Sequence, residues 1–429
     1  MAEKPICLIN TVAITPERLI KDGAIWIDGG KIQYVGATDE VGRQLGLNNI
    51  ESNIGPGDKV EIIDCHGLYA APGFIDMHVH GGGGVDLMDG TADAILTMAA
   101  SHARFGTTAL VPTTLTSSME DLFETLDNMK KACRLQPGKD YPGARILGVH
   151  LEGPYFSLEM CGAQDPRYIK NPVAEEYMRI LDYSDNIVRV SAAPELPNAL
   201  DLGRELRRRG ILASIGHSDA IFDQVLEAVE SGYSHVTHLY SGMSTVRRID
   251  AFRYAGVVEA ALLIDELTVE VIADGKHLPA SLLQLAYKCK GPDRLALVTD
   301  AMRAAGMPEG VYILGSLKDG QKVVVEDGVA KLPDRSAFAG SVATTDRLVR
   351  TMVEMAEIPL RDAITMMTST PARILGISDR KGKIAVGMDA DIVLFDENIN
   401  VKMTMVEGNM VHICDEIERG RTLCATRCS

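Results

Sequence analysis

GFIDMHVHGGGG, residues 73–84, is the stretch on which the fold turns. Its first half is a short apolar run, and four glycines follow, which is how a buried strand ending in a turn reads. His78 and His80 stand two residues apart at its end. Residues i and i+2 of a strand share a face, so both imidazoles reach one place. Gly81–Gly84 let the backbone turn away without crowding them. A lone His-x-His is also what two polar residues beside a loop look like. Its meaning depends on the rest of the chain.

The rest of the chain repeats the pattern. TTALVPT, RILGVHLEG, VRVSAAPE, LASIGHS, HVTHLY, TVEVIAD and LALVTDAM read as further strands. Helical stretches such as ADAILTMAASHARFG, MEDLFETLDNMKKACR and FDQVLEAVESG lie between them. Strands alternating with helices, and apolar on both faces, predict an α/β fold of the parallel (β/α)8, TIM-like barrel type. A doubly wound open sheet is the alternative, but no GxGxxG follows the first strand and opens a helix. Barrel active sites sit at the C-terminal ends of the strands. There Glu152, His217, His238 and Asp300 join His78 and His80. Taken singly, each is ordinary: a solvated carboxylate, a hydrogen-bonded histidine, a helix cap. That reading is kept for His102, His150 and His235. Imidazole and carboxylate groups at five strand ends of one barrel are the ligand set of zinc and related divalent ions.

Both termini have a different character. ICLINTVAI, GAIWIDGGKIQYVG and VEIIDCHG at one end, and KGKIAVGMDADIVLFDENINVKMTMVEGNMVH near the other, read as short strands. Asp28-Gly29-Gly30 and Glu407-Gly408-Asn409 are hairpin turns. The expected organisation is a small discontinuous β-sandwich domain, residues 1–68 and 377–429, around a barrel domain, 69–376, with a hairpin inserted at 316–334.

The chain has 429 residues, 46% of them hydrophobic, enough for a barrel and a companion domain. A formal net charge of −16 argues against a general affinity for nucleic acid or an anionic membrane. An anionic substrate would need local cations. The N-terminus does not read as a signal peptide, and no stretch of about 18 apolar residues suggests a membrane span. Eight cysteines without a CxxC suit reduced thiols in the cytoplasm. Cys424 and Cys428, in RGRTLCATRCS, read as part of a disordered tail, with metal binding as the alternative.

With these residues in view, the sequence resembles the N-acetylglucosamine-6-phosphate deacetylases of the amidohydrolase superfamily. The resemblance rests on PGFIDMHVHGGGG (72–84), HLEGPYF (150–156), GHSDA (216–220), THLYSGM (237–243), DGKH (274–277), VTDAM (298–302) and FAGS (338–341). It implies a metal-dependent hydrolase that removes the N-acetyl group of N-acetyl-D-glucosamine 6-phosphate in amino-sugar catabolism. It implies Glu152, His217 and His238 as the main metal ligands and His78 and His80 as ligands of a second ion. One or two ions per subunit, Zn2+ or Fe2+, are expected. By the same resemblance Asp300 is the catalytic acid/base and His277 contacts the substrate near its amide. Ala163, Gln164, Ser241, Gly242, Phe338, Ala339 and Gly340 contact the sugar. Arg253 binds phosphate at the interface of a homodimer. The chain departs from the family's usual THLYNAM at Ser241 and Gly242, and STVRRIDAFRYAG is longer than the family's REPG segment, which makes Arg247 and Arg248 rivals of Arg253. Alternatives are a deacetylase for the galactosamine isomer, a cyclic amidase, a deaminase, or a catalytically silent scaffold.

Overall fold

The structure, a computed structural model, describes residues 4–45, 55–56, 60–136, 141–415 and 417. The cysteine pair of the tail, Cys424 and Cys428, lies outside the described residues.

The middle of the chain forms parallel strands. They are Phe74–Val79, Thr107–Pro112, a third in two pieces (Arg145–Ile146 and Val149–Glu152), Ile187–Ala192, Leu212–Ile215, Tyr233–Val236, Thr268–Ile272 and Leu295–Val298. They pair in chain order as a three-stranded and a six-stranded sheet. Parallel bridges Thr113↔His150 and Val79↔Ala301 connect the two sheets at both ends. The third strand breaks at Gly148, whose φ is 147° and where a Cβ would lie 2.4 Å from Val188 Cγ1.

Helices cover the parallel strands because their sequences bury one stripe. Met119–Leu135 starts where the Ser118 hydroxyl accepts from the Asp121 N–H, and it buries Leu122, Leu126, Met129 and Ala132 at helical spacing. Ala92–Ala103 is capped in the same way by Thr91. One apolar cluster links these helices to Phe74, Leu110, Leu151, Ile215, Val236 and Leu297 of the strands. None of the described helices is long and apolar enough to cross a membrane.

The terminal strands meet in one sheet. Ile6–Ile14, Leu19–Asp28 and Lys31–Ala37 from one end join Ile392–Phe395, Val401–Val406 and Asn409–Ile413 from the other. Both expected hairpin turns are present, at residues 29–30 and 407–408. The sheet also takes in Tyr69–Pro72, which pairs with Ile6–Ile14 and Ile392–Phe395. The sheet of terminal strands therefore runs as far as Pro72, and Gly73 stands between it and the first parallel strand. A Cβ at Gly73 would meet Thr108 Oγ1 at 2.1 Å, so this crossing point has no room for a side chain. Buried Lys381 ties the segment after the last helix to this sheet, with Nζ 2.6 Å from Asp391 Oδ2, 3.0 Å from Asp389 Oδ2 and 3.3 Å from Glu407 Oε1.

The insertion differs from the expected hairpin. It begins earlier and has three antiparallel strands, Gly310–Leu314, Gln321–Glu326 and Val329–Lys331. Its first strand, GVYIL, has no apolar–polar alternation and exposes Val311, so it does not stand out in the sequence. Leu314, Val323, Val325 and Ala330 pack against Met302 and Ala339, which places the insertion beside the C-terminal end of the eighth strand.

Candidate metal centre

His78 lies in the first strand and Glu152 ends the third. His80 follows the first strand directly. His217, His238 and Asp300 each stand two residues beyond the end of a strand, with φ of 48°, 27° and 46°. Three non-glycine residues in the left-handed region at matching positions mark a held, strained rim, as active sites often show. All six side chains are buried.

Their reactive atoms converge in two neighbouring groups, His78–His80–Asp300 and Glu152–His217–His238, each with its ligand atoms within 4.8 Å of one another. Outer hydrogen bonds fix three of the rings. His78 Nδ1 faces Glu270 Oε1 at 2.8 Å, His80 Nδ1 faces the Thr113 carbonyl at 3.1 Å, and His217 Nδ1 faces the Met160 carbonyl at 2.8 Å. Carbonyl and carboxylate oxygens only accept, so these Nδ1 atoms carry the proton and Nε2 is left as a lone pair. Those Nε2 atoms point at carboxylate oxygens. His238 Nε2 is 2.9 Å and His217 Nε2 3.4 Å from Glu152 Oε1, and His80 Nε2 is 3.0 Å from Asp300 Oδ1. His78 Nε2 lies 3.4 Å from Asp300 Oδ1, is buried, and has no hydrogen-bond partner.

Lone pairs facing lone pairs in a buried site require an added positive charge. In the bare protein, protons must supply it. Burial opposes a second proton on His78, but Glu152, Asp300 and Glu270 outweigh it and hold the group up at about 9. His80 is held well above its usual range against the same opposition, through Asp300 and Glu152. Burial raises the Glu152 carboxyl, yet His78, His217 and His238 keep it well below the usual carboxylate range. A divalent cation satisfies the same demand with one charge centre, and the donor set of imidazole nitrogens and carboxylate oxygens fits it. His150 and His235 do not join. Burial depresses both, His235 to about 4, and their nitrogens are taken by Ser191, Thr113, Thr268 and Glu270. His102 likewise hydrogen-bonds the Gly81 carbonyl at 2.9 Å.

Five of the six residues, all but His78, line a cavity of about 220 Å³. Ala163, Gln164, Ser241, Gly242, His277, Phe338 and Gly340 line it; Ala339 is buried and does not. His277 stacks near Phe338, its ring centroid 4.7 Å away. The three arginines separate from this group. Arg253 lies in an exposed hairpin strand, Phe252–Tyr254, directly across from Arg248. Neither lines the cavity or makes an ion pair among the described residues. Arg247 is already engaged, donating to the carboxylate and carbonyl of Asp219.

Sequence reasoning missed three supporting carboxylates and cations. Asp274 Oδ2 is 2.9 Å from His277 Nδ1 and orients that ring. Glu270 and Arg189 form a buried pair beneath His78. The available signal was a charged residue in the middle of an apolar parallel strand, TVEVIAD and VRVSAAPE, where none is expected without a buried partner.

Comparison with known proteins gives the family. The model of the amidohydrolase family matches residues 69–411. The N-acetylglucosamine-6-phosphate deacetylase of Vibrio furnissii is 38% identical over 82% of this chain and 85% of its own length. The protein of the same name from Bacillus subtilis is 34% identical over 96% of this chain and 98% of its own. Among solved structures, a mutant N-acetyl-D-glucosamine-6-phosphate deacetylase from Mycobacterium smegmatis, in complex with N-acetyl-D-glucosamine-6-phosphate, superposes with a TM-score of 0.82 at 29% identity, covering 96% of this chain and 100% of that one. The family is metal-dependent, and the two ligand groups are candidate sites for its metal. The chain belongs to the amidohydrolase family and is a relative of the N-acetylglucosamine-6-phosphate deacetylases.

Proposed function

We propose that this chain hydrolyses the acetamide of N-acetyl-D-glucosamine 6-phosphate to D-glucosamine 6-phosphate and acetate, a step of amino-sugar catabolism. The observation that carries the reading is the convergence of four imidazoles and two carboxylates, five of these six groups lining a cavity whose wall also holds His277 and Phe338. On this reading the linked ring of parallel strands is a (β/α)8 barrel, and the sheet of terminal strands is a small discontinuous β-sandwich domain.

Glu152, His217 and His238 would hold one ion, and His78 and His80, with Asp300 beside them, a second; Zn2+ or Fe2+ suits this donor set. A bound cation supplies Lewis acidity toward the acetamide carbonyl and makes a nearby water more acidic. Asp300 takes the proton of the attacking water and delivers it to the departing amine. His277, oriented by Asp274, contacts the acetamide oxygen as charge builds there. The loops carrying Ser241 and Phe338 hold the sugar so that the acetamide faces the centre.

The cavity lining contains no Lys or Arg among the described residues, so the phosphate must be read from elsewhere. Arg248 and Arg253 stand opposite each other on a hairpin with exposed Val246, Ile249, Phe252 and Tyr254. We read this arm as the contact between two copies of a homodimer, with Arg253 reaching the partner's substrate. The described cysteines are all free, in keeping with a cytoplasmic enzyme.

The test is an acetate-release assay over N-acetylglucosamine, N-acetylgalactosamine and their 6-phosphates. Preference for the glucosamine 6-phosphate form is expected. Preference for the galactosamine isomer would move the assignment to that second deacetylase class, and no acetate from any of them would refute it.

A further inference from the structure

Gln164 joins the cavity wall to a carboxylate of the metal centre. Its side chain is buried, with Oε1 2.8 Å from the Thr116 backbone nitrogen and 3.0 Å from Thr116 Oγ1. Its Nε2 lies 2.8 Å from Glu152 Oε2. A backbone N–H can only donate, so the atom facing it is the amide oxygen. An ionised carboxylate can only accept, so the atom facing it is the NH2 group. Both ends demand the same orientation, and a flipped amide would set NH2 against the backbone N–H and its oxygen against the carboxylate, losing both of those bonds. Thr116 is held in turn, because its hydroxyl also accepts from the Asp165 N–H at 3.1 Å. The loop carrying Gln164 and the loop after the second strand are thus fastened together at the rim.

The consequence falls on Glu152. A carboxylate's terminal torsion is broad, so its two oxygens are not fixed by the rotamer alone. With Oε2 committed to Gln164, Oε1 is the oxygen presented to His238 Nε2 at 2.9 Å and His217 Nε2 at 3.4 Å. Gln164 also separates this centre from the polar recess lined by Ser117, Asp121 and Asp319 on its other side.

We infer that Gln164, braced by Thr116, is a positioning residue that pins Glu152 with one oxygen facing the His217–His238 pair. The inference rests on the metal-centre reading above. Outer partners of metal-ligating side chains are typically worth about 10–100-fold in metal affinity.

The experiment titrates metal-free parent, Gln164→Met and Thr116→Val with Zn2+ against a chromophoric chelator. Gln164→Met is expected to weaken the tighter site by about 10–100-fold. Thr116→Val, which removes one of the two bonds bracing the amide, should weaken it in the same direction by less. A role in sugar contact alone would raise KM and leave metal affinity at the parent value, and that result overturns the inference. If Gln164→Met does not fold, parent-level affinity in Thr116→Val overturns it. A parent that takes up no Zn2+ refutes the metal-centre reading itself and this inference with it. Parent uptake with unaltered variants refutes the inference alone.

Discussion

Arg189 and Glu270 face each other with no solvent exposure, joined by bonds of 2.6 and 2.9 Å. Every N–H of the guanidinium is used. Nε donates to Ser214 Oγ, one terminal nitrogen also to the Met77 carbonyl, and the other also to Thr237 Oγ1. Glu270 spends its remaining acceptor capacity on His78, His235 and the His238 N–H. The pair therefore links the parallel strands to the seat of His78.

Removing one partner of such a pair leaves a buried charge uncompensated and costs about 3–5 kcal/mol. Arg189→Met should destabilise the fold by that amount in denaturant titration. A loss below about 1 kcal/mol would mean the pair is replaceable. Glu270→Gln should keep more stability and weaken the metal group that contains His78.

Chelation should abolish acetate release, and Zn2+, Fe2+ or Mn2+ should restore it. His217→Ala should lose the ion held with Glu152 and His238. His78→Ala should lose one ion where two bind and keep partial activity. Metal analysis of each purified variant checks this, and full turnover by protein shown to be metal-free would sink the mechanism.

The residues that could be found in the sequence were those placed by strand periodicity. His78, Glu152, His217, His238 and Asp300 end apolar runs, and the ends of parallel strands are where chemistry collects. Arg189 and Glu270 are not legible in this way, because both sit inside apolar runs whose pattern reports packing. Asp274 lies three residues from His277, and only the turn between them brings the two together. The Thr116–Gln164 brace joins loops 48 residues apart, a separation no local pattern encodes. The insertion's first strand was missed because Gly310–Leu314 is half exposed and lacks clean alternation.

Asp300→Asn keeps the shape of the side chain and removes the proton carrier. General acid–base catalysis typically contributes about 10²–10⁴-fold, so kcat should fall by at least that much with metal retained. Asp300 also stands among the His78 group, so metal content must be measured alongside. A variant that lost metal but turned over normally on reconstitution would make Asp300 a ligand only.

Lys290 offers a test of stability against pH away from the centre. It is buried at the end of helix Ala280–Lys290 and donates to the Ile264 carbonyl at 2.7 Å. Burial pulls its ammonium down from 10.5 to about 8. The unfolded chain therefore holds more protons between pH 8 and 10.5, and the contribution of this group to stability rises with pH across that window. The limiting slope is about 1.4 kcal/mol per pH unit. Lys290→Met should remove that rise. Parallel stability–pH curves for parent and variant from pH 8 to 10.5 would refute the assignment.

The last prediction concerns phosphate. A net charge of −16 gives an anionic substrate no help from the global field, and the described cavity lining supplies no cation. Arg248 and Arg253 are directly opposite on the hairpin, an arrangement of like charges that is unfavourable until an anion joins it. Arg247 is held by Asp219 and is the weaker candidate. Guanidinium binds phosphate through paired hydrogen bonds, a geometry lysine does not copy. Loss of a charge-assisted contact of about 1.5–3 kcal/mol should lower kcat/KM by about 10–150-fold for the phosphorylated sugar. Arg253→Ala should therefore lose that factor on N-acetylglucosamine 6-phosphate and almost nothing on N-acetylglucosamine. Equal losses on both would remove phosphate from the role. If the arginine acts across a dimer, mixing Arg253→Ala with Asp300→Asn should restore part of the activity, because a mixed dimer then contains one site with an intact Asp300 and an intact partner arginine. No recovery in mixtures shown by sedimentation to exchange subunits would confine Arg253 to its own chain, and a fully active monomer would remove the dimer from the mechanism.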